Sequence, residues 1–159
     1  MFPFTRKVSI TIYFLFILLC FQSCDRDRFY EENKRIENNI WNNKEKAVFK
    51  VMLDDVQTPY SFYINIRNST DYPYSNIFLF LKTVFPDGKI ARDTIECQLA
   101  DFSGKWTGSG MSDIKFNRFL FQKGIRFPQQ GQYIFEFEQA MRIPDLKGIS
   151  DIGIRLEKD

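Results

Sequence analysis

The sequence predicts an all-β protein, an antiparallel β-sandwich of about seven strands that follows a cleaved signal peptide and a short polar tether. Three observations carry this. Apolar and polar residues alternate with period two from residue 46 onward, the pattern of half-buried strands. Pro, Gly, Asp and Ser cluster between these runs, where turns are needed. No alternating helical pattern appears, which argues against the crossover helices of a parallel α/β sheet. At 159 residues, with 18 Phe and 7 Tyr, the chain is one domain long and has ample apolar area for a core.

The N-terminal element reads MFPFTRKVSITIYFLFILLCFQSC over residues 1–24. Arg6 and Lys7 form a basic start, and Val8 to Phe21 is an apolar run of fourteen residues. A membrane span needs ~20 apolar residues, whereas a run of this length suits a secretory signal. Ser23 then stands directly before Cys24, which resembles the lipobox of bacterial lipoproteins, with Phe21 where Leu is usual. The expectation is a signal peptide over 1–23 and a lipidated N-terminus at Cys24. A plain signal peptide or an uncleaved anchor is the other reading. Two or three acyl chains, at ~0.8 kcal/mol per buried methylene, would hold the protein on a membrane of the cell envelope, the leaflet unassigned. Cys20 leaves with the signal, so Cys97 is alone and no disulfide framework exists. Cys97 shares a strand face with Ile95 and Leu99 and is expected to be a small buried hydrophobe.

Residues 24–45 are polar, charged and Asn-rich, and read as the tether. A helical tendency runs from Phe29 to Ile40, with Ile36, Ile40 and Trp41 as a small apolar face. The sandwich occupies 46–159. Its first strand sets Ala47, Phe49, Val51 and Leu53 against Lys46, Val48, Lys50 and Met52, and its second sets Phe62, Ile64 and Ile66 against Ser61, Tyr63, Asn65 and Arg67. Asn76 to Phe85 is apolar on both faces at first, which suggests a central strand covered on both sides. Pro86-Asp87-Gly88 turns it into a strand from Ile90 to Leu99, making 76–99 a hairpin. A Gly-rich loop fills 100–113. Further strands cover Ile114 to Phe127, broken near Gly124, then Gln132 to Met141 and Ser150 to Glu157, with a short turn over 144–148.

Chemistry is mostly excluded. The chain has no histidine, so imidazole bases, His-ligated zinc and Ser-His-Asp or Cys-His systems are absent. Removing Arg6 and Lys7 with the signal leaves equal numbers of bases and acids, so the net charge of +2 gives no argument for nucleic acid. Neither a catalytic residue nor a cofactor or metal set is assigned, and a small-molecule ligand is not expected. Glu136 and Glu138 lie two apart on one strand face, within the separation a glycosidase uses, but that spacing is also the ordinary outward face of a strand. Trp106, in a Gly-flanked loop, either plugs one end of the sandwich or joins Tyr72 and Tyr74 in a sugar-stacking or protein-binding surface. Arg142, at the end of an apolar strand, either pairs with Asp145 or Asp151 or meets a partner. Trp106, Arg142, Glu136 and Glu138 are thus the candidate interaction residues.

Three stretches, IRNSTDYPYSNIFLFL, DTIECQLADFSGKWTGSG and FEFEQAMRIPDLKGISDIGIRLEK, together with the lipoprotein signal, resemble the gliding-motility lipoprotein GldH family of the Bacteroidetes. The likeness spans nearly the whole chain, and the closing stretch is its most specific part. It implies a non-enzymatic, membrane-anchored envelope lipoprotein needed for gliding, with protein partners in a secretion-linked machinery. Only the lipidated cysteine transfers, onto Cys24. The alternative is a glycan-binding lipoprotein of the surface or periplasm.

Overall fold

The computed structural model describes residues 27–159, and ten strands lie among them: β1 (Arg28–Arg35), β2 (Ile40–Asn42), β3 (Ala47–Leu53), β4 (Tyr60–Ser69), β5 (Asn76–Val84), β6 (Ile90–Gln98), β7 (Ile114–Ile125), β8 (Gly131–Gln139), β9 (Asp145–Lys147) and β10 (Ile149–Lys158). Two antiparallel four-stranded sheets, ordered β1-β10-β4-β7 and β3-β8-β5-β6, pack face to face, and β2 pairs with β9 in a third, two-stranded sheet. Period-two alternation is what selects this arrangement. Each long strand has one apolar face, and two such faces bury each other.

The core holds those expected alternations. Phe49, Val51 and Leu53 of β3 meet Tyr133, Phe135 and Phe137 of β8 and Ile77, Leu79 and Leu81 of β5, while β4 and β10 contribute Phe62, Ile64, Ile66, Ile152, Ile154 and Leu156. Phe62 crosses between the sheets, edge-on to Phe135 at 5.0 Å and to Phe121 at 5.6 Å. Each such ring contributes about 1.5–3 kcal/mol through burial, and the edge-to-face geometry adds to it. The hairpin of β5 and β6 forms in the register Asn76↔Gln98 to Val84↔Ile90.

Four expectations change. Residues 28–45 belong to the sandwich. β1 pairs along β10 from Arg28↔Glu157 to Arg35↔Asp151, and Glu37–Asn39 is a 3-10 turn, not part of a helix from Phe29 to Ile40. Trp41, placed in the tether by composition, is 1% exposed; it pairs with Leu146 of β9 and its indole N–H donates to the Glu45 carbonyl at 3.0 Å. The turn expected over 144–148 thus contains β9. β5 is central in its sheet but covered on one face only, so Phe78 and Phe80 point to solvent at 36% and 51% exposure; in a two-layer sandwich a central strand has one core face. Finally, β7 is not broken near Gly124. The ladder to β4 absorbs the irregularity as register shifts between Tyr60 and Tyr63, with Gly124 at φ +69°.

Candidate functional site

The outward face of the β1-β10-β4-β7 sheet is polar and organised in rows across the strands. Asp151, Gly153, Arg155 and Glu157 alternate with the core residues of β10, so all four turn outward. Arg155 stands opposite Glu31 of β1 and Tyr63 of β4. Its side chain is 5% exposed, and it donates to Glu31 at 2.8 Å and also to Glu157. Glu31 is shared further: Arg118 of β7 reaches it at 3.0 Å and the Asn65 amide at 2.9 Å, and Asn65 in turn accepts from Arg118 at 3.1 Å. Burial pushes the Glu31 carboxyl upward. The hydrogen bonds from Arg155 and Asn65 and the charge of Arg118 more than reverse this, so it ends below its ordinary value. This patch is a closed ion network whose charges satisfy one another.

The next row towards the far end is different. Arg35 and Arg67 both stand opposite Asp151, one on each neighbouring strand, and Arg67 pairs in turn with Phe116 of β7. Arg67 lies 4.0 Å from the Asp151 carboxylate and 5.7 Å from the Phe116 ring centroid. Arg35 has no ion pair among the described residues. With Asn39, Ser109 and Ser150, these groups line an open cleft of about 780 Å³.

On the outer face of the other sheet, Glu136 and Glu138 are brought together by lysine. Lys46 reaches Glu138 at 2.9 Å and Glu136 at 3.3 Å, and Lys82 reaches Glu136 at 3.3 Å. Burial raises the Glu136 pKa, and Lys82 and Lys46 lower it below the ordinary range. Glu136 is thus held as an anion, which suits ion pairing with the two lysines.

Arg142 is exposed and forms no ion pair among the described residues. Of its two expected partners, Asp145 accepts from the Asn42 amide at 2.6 Å, and Asp151 faces Arg67. Instead Arg142 edges a groove of about 380 Å³ with Tyr74, Phe78 and Met141. Gln139 builds the turn before it, donating to the Ile143 carbonyl at 2.8 Å and accepting from the Met141 N–H at 2.8 Å.

Trp106 is half-buried against the core and bridges to Ala100. Its loop is well ordered by hydrogen bonds: Asp101 accepts from the N–H groups of Ser103 at 2.8 Å and Lys105 at 3.0 Å, and Ser109 exchanges two backbone bonds with Phe116. Tyr72 is 3% exposed and its hydroxyl donates to the Asn76 carbonyl at 2.9 Å, while Tyr74 packs edge-on against it. The three aromatics proposed as a sugar platform are therefore not all at the surface; Tyr72 is a core residue.

Cys24 lies outside the described residues. Cys97 is buried as expected, and burial pushes its thiol up to about 12. Among the described residues no His, Cys, Asp and Glu group could hold a metal ion, and no helix is long and apolar enough to cross a membrane. The residues that sequence reasoning missed are Glu31, Arg35 and Arg67. The first two fall within the stretch whose composition reads as a tether, and the third alternates with Ile66 as an ordinary outward residue. The signal for this face was present in the alternation Asp151, Gly153, Arg155, Glu157.

The family described as GldH lipoprotein matches residues 28–156, from the first residue of β1 almost to the end of β10. A protein named gliding motility lipoprotein GldH homolog, from Christiangramia forsetii, is 36% identical over 160 residues, covering 96% of this chain and 98% of the relative. The protein named gliding motility lipoprotein GldH of Flavobacterium johnsoniae is 30% identical over 143 residues, covering 86% of this chain and 88% of the relative. The match thus takes in both large sheets and the ion network between β1, β10 and β7. The chain belongs to the GldH lipoprotein family.

Proposed function

We propose that this protein is a lipid-anchored component of the cell envelope that serves gliding motility, acting without catalysis as a structural or assembly part of the secretion-linked gliding machinery and held to the membrane through Cys24. The relatives' names support the motility role, and the Ser23-Cys24 junction after an apolar run supports the anchor. The single observation that carries the reading further is the position of the chain's entry into the fold. The Asp27 carbonyl accepts from the Lys158 N–H at 2.8 Å, and Arg28 pairs with Glu157. Cys24 is three residues from Asp27 in sequence, so the anchor attaches within ~10 Å of this end. β1 and β10 then run ~25–30 Å away from it. The far end, carrying Arg35, Ser109 and the Trp106 loop, faces away from the membrane and is the surface available to a partner in the envelope. Phe102 and Met111, in that loop, are fully exposed.

The test is a clean deletion complemented with wild type or with Cys24→Ala, scored for single-cell movement on glass. Movement lost and restored by wild type alone supports the motility role and the anchor. Unchanged movement in the deletion overturns the reading. The rival, a glycan-binding lipoprotein using Trp106, Tyr72 and Tyr74, is not favoured, because Tyr72 is in the core.

A further inference from the structure

We propose that the cleft at the far end of the β1-β10-β4-β7 sheet binds an acidic sugar, with Arg35 and Arg67 holding its carboxylate and Ser150, Asn39 and Asp151 engaging its hydroxyls. Two observations converge on it. Arg35 and Arg67 flank Asp151 in one row, their backbones ~10 Å apart. One carboxylate opposes two guanidiniums, and it lies at 4.0 Å from Arg67, while the rows behind it are ion-paired through Glu31. The row therefore carries a surplus of positive charge at the floor of an open cleft of about 780 Å³, within the range of small-ligand sites.

Ser150 supplies the second observation. It is the extra residue in the β10–β4 ladder, where Ile149 pairs with Asn68 and Asp151 with Arg67, so a β-bulge displaces it from the regular pattern. It is 8% exposed, its carbonyl accepts from the Ile36 N–H at 2.8 Å, and its hydroxyl has no hydrogen-bond partner. Unpartnered buried hydroxyls are costly and uncommon. The hydroxyl is sealed from solvent although Ser150 lines the cleft, so a χ1 rotation towards the cleft is the movement that would present it to a ligand. Asn39 sits in the left-handed region at φ +55°, a conformation that favours a residue with Asn's short polar side chain.

The mixture of groups narrows the ligand. An anion alone satisfies the guanidiniums but draws Arg67 away from Asp151, which it meets at 4.0 Å, and leaves that carboxylate in need of a new donor. A carboxylate with hydroxyl groups beside it meets both needs, whereas an acidic peptide side chain carries its carboxylate on a bare methylene arm. The inference concerns the far end of the fold and is independent of the anchor at Cys24.

The test uses the full chain in detergent micelles, titrated calorimetrically with digalacturonic acid, the neutral disaccharide of the same linkage, Glu-Glu dipeptide and inorganic phosphate. Binding of digalacturonic acid is expected, at least ten-fold tighter than the other three and weakened by salt. Arg35→Gln and Arg67→Gln each weaken it ten-fold or more, Ser150→Ala three-fold or more, and Lys50→Gln, on the opposite sheet, leaves it unchanged. Equal binding of the neutral sugar, preference for the dipeptide or phosphate, or full affinity in Arg67→Gln overturns the proposal.

Discussion

Gly153 of β10 and Asn33 of β1 face each other so closely that a Cβ on Gly153 would stand 2.0 Å from the Asn33 Oδ1 and 2.7 Å from the Glu32 carbonyl oxygen. The Asn33 side chain is flexible and can move aside. The Glu32 carbonyl is backbone and cannot move without shifting β1. A side chain at 153 would thus lift the edge strand just where Glu31 reaches Arg155. Gly153→Ala is expected to destabilise the protein by about 1–3 kcal/mol through overpacking. Thermal unfolding of Gly153→Ala, and of Gly153→Ala with Asn33→Ala, checks this. The double variant recovers only part of the loss, because the backbone contact remains.

Trp41 measures how far the fold extends towards the N-terminus. A tether residue would tolerate Trp41→Ala without loss, but this indole is 1% exposed and packs in the β2–β9 sheet. The expected cost is about 3–5 kcal/mol, as for other large buried aromatics. Chemical denaturation with urea gives the value directly.

Why composition hid this segment is visible in β1. Strands such as β3 and β8 announce themselves because their core-facing positions are apolar. In β1 the positions that share rows with Leu156, Ile154 and Ile152 are Tyr30, Glu32 and Lys34. These three partner one another: Tyr30 donates to Glu32, Lys34 pairs with Glu32 at 3.0 Å, and the Lys34 ammonium sits 5.5 Å from the Phe49 ring. An edge strand closing the sandwich with a polar chain has no period-two signal to read. The hairpin over 76–99 was legible for the opposite reason. Pro86-Asp87-Gly88 marks its turn, and Asp87 accepts from the Lys89 N–H at 3.0 Å with Gly88 at φ +83°. Of the candidate residues, the Glu136 and Glu138 pair was readable from spacing. Their lysine partners were not, because Lys46, just before β3, and Lys82 of β5 are distant in sequence.

Glu31 ties β1 to β10 and β7, so its loss has a predictable size. Arg155 is nearly sealed from solvent, and removing Glu31 takes from this buried guanidinium a carboxylate partner at 2.8 Å. Breaking a buried pair costs about 3–5 kcal/mol, and the partial exposure of Glu31 lowers this to about 2–4 kcal/mol for Glu31→Ala. Glu138→Ala, at the more exposed Lys46 pair, is expected to cost about 0–1 kcal/mol. Comparing the two variants in the same denaturant series tests the contrast.

Acid sensitivity follows from the same carboxylates. Glu31 and Glu136 are lowered from 4.5, and hydrogen bonds from Thr58 and Gln57 lower Asp55 from 3.8 to about 2. A group whose folded pKa lies below its unfolded value stabilises the fold at pH above the unfolded value, and that contribution is lost as pH falls through the folded one. The melting temperature should therefore hold level from pH 7 to 5 and fall below about pH 4.5, with the Asp55 share lost between 3.8 and about 2. Glu31→Gln should flatten the upper part of that fall. A melting temperature that rises on acidification contradicts the assignment.

Cys97 packs beside Ile95 and Leu99 in the core and is pushed up to about 12 by burial, so at pH 8 it is a neutral thiol without access. Mass spectrometry of the Cys97 peptide after maleimide treatment should show no labelling of the folded chain and full labelling in urea. Cys97→Ser, which puts a hydroxyl in an apolar site, is expected to cost about 1–3 kcal/mol.

Arg142 separates a structural from an interacting role most cleanly. Its expected acidic partners are engaged elsewhere, Asp145 by Asn42 and Asp151 by Arg67, so Arg142→Ala removes no ion pair found among the described residues. Its unfolding free energy should stay within about 0.5 kcal/mol of wild type, as for surface positions without such contacts. The guanidinium instead borders Phe78 and Met141, beside the exposed Phe80 of the same strand. Arg with aromatic neighbours is the composition of interface cores. If this groove meets a partner in the gliding machinery, cells carrying Arg142→Ala or Phe78→Ser keep normal levels of the protein and move less on glass. Wild-type movement with both variants removes the groove from the candidate surfaces.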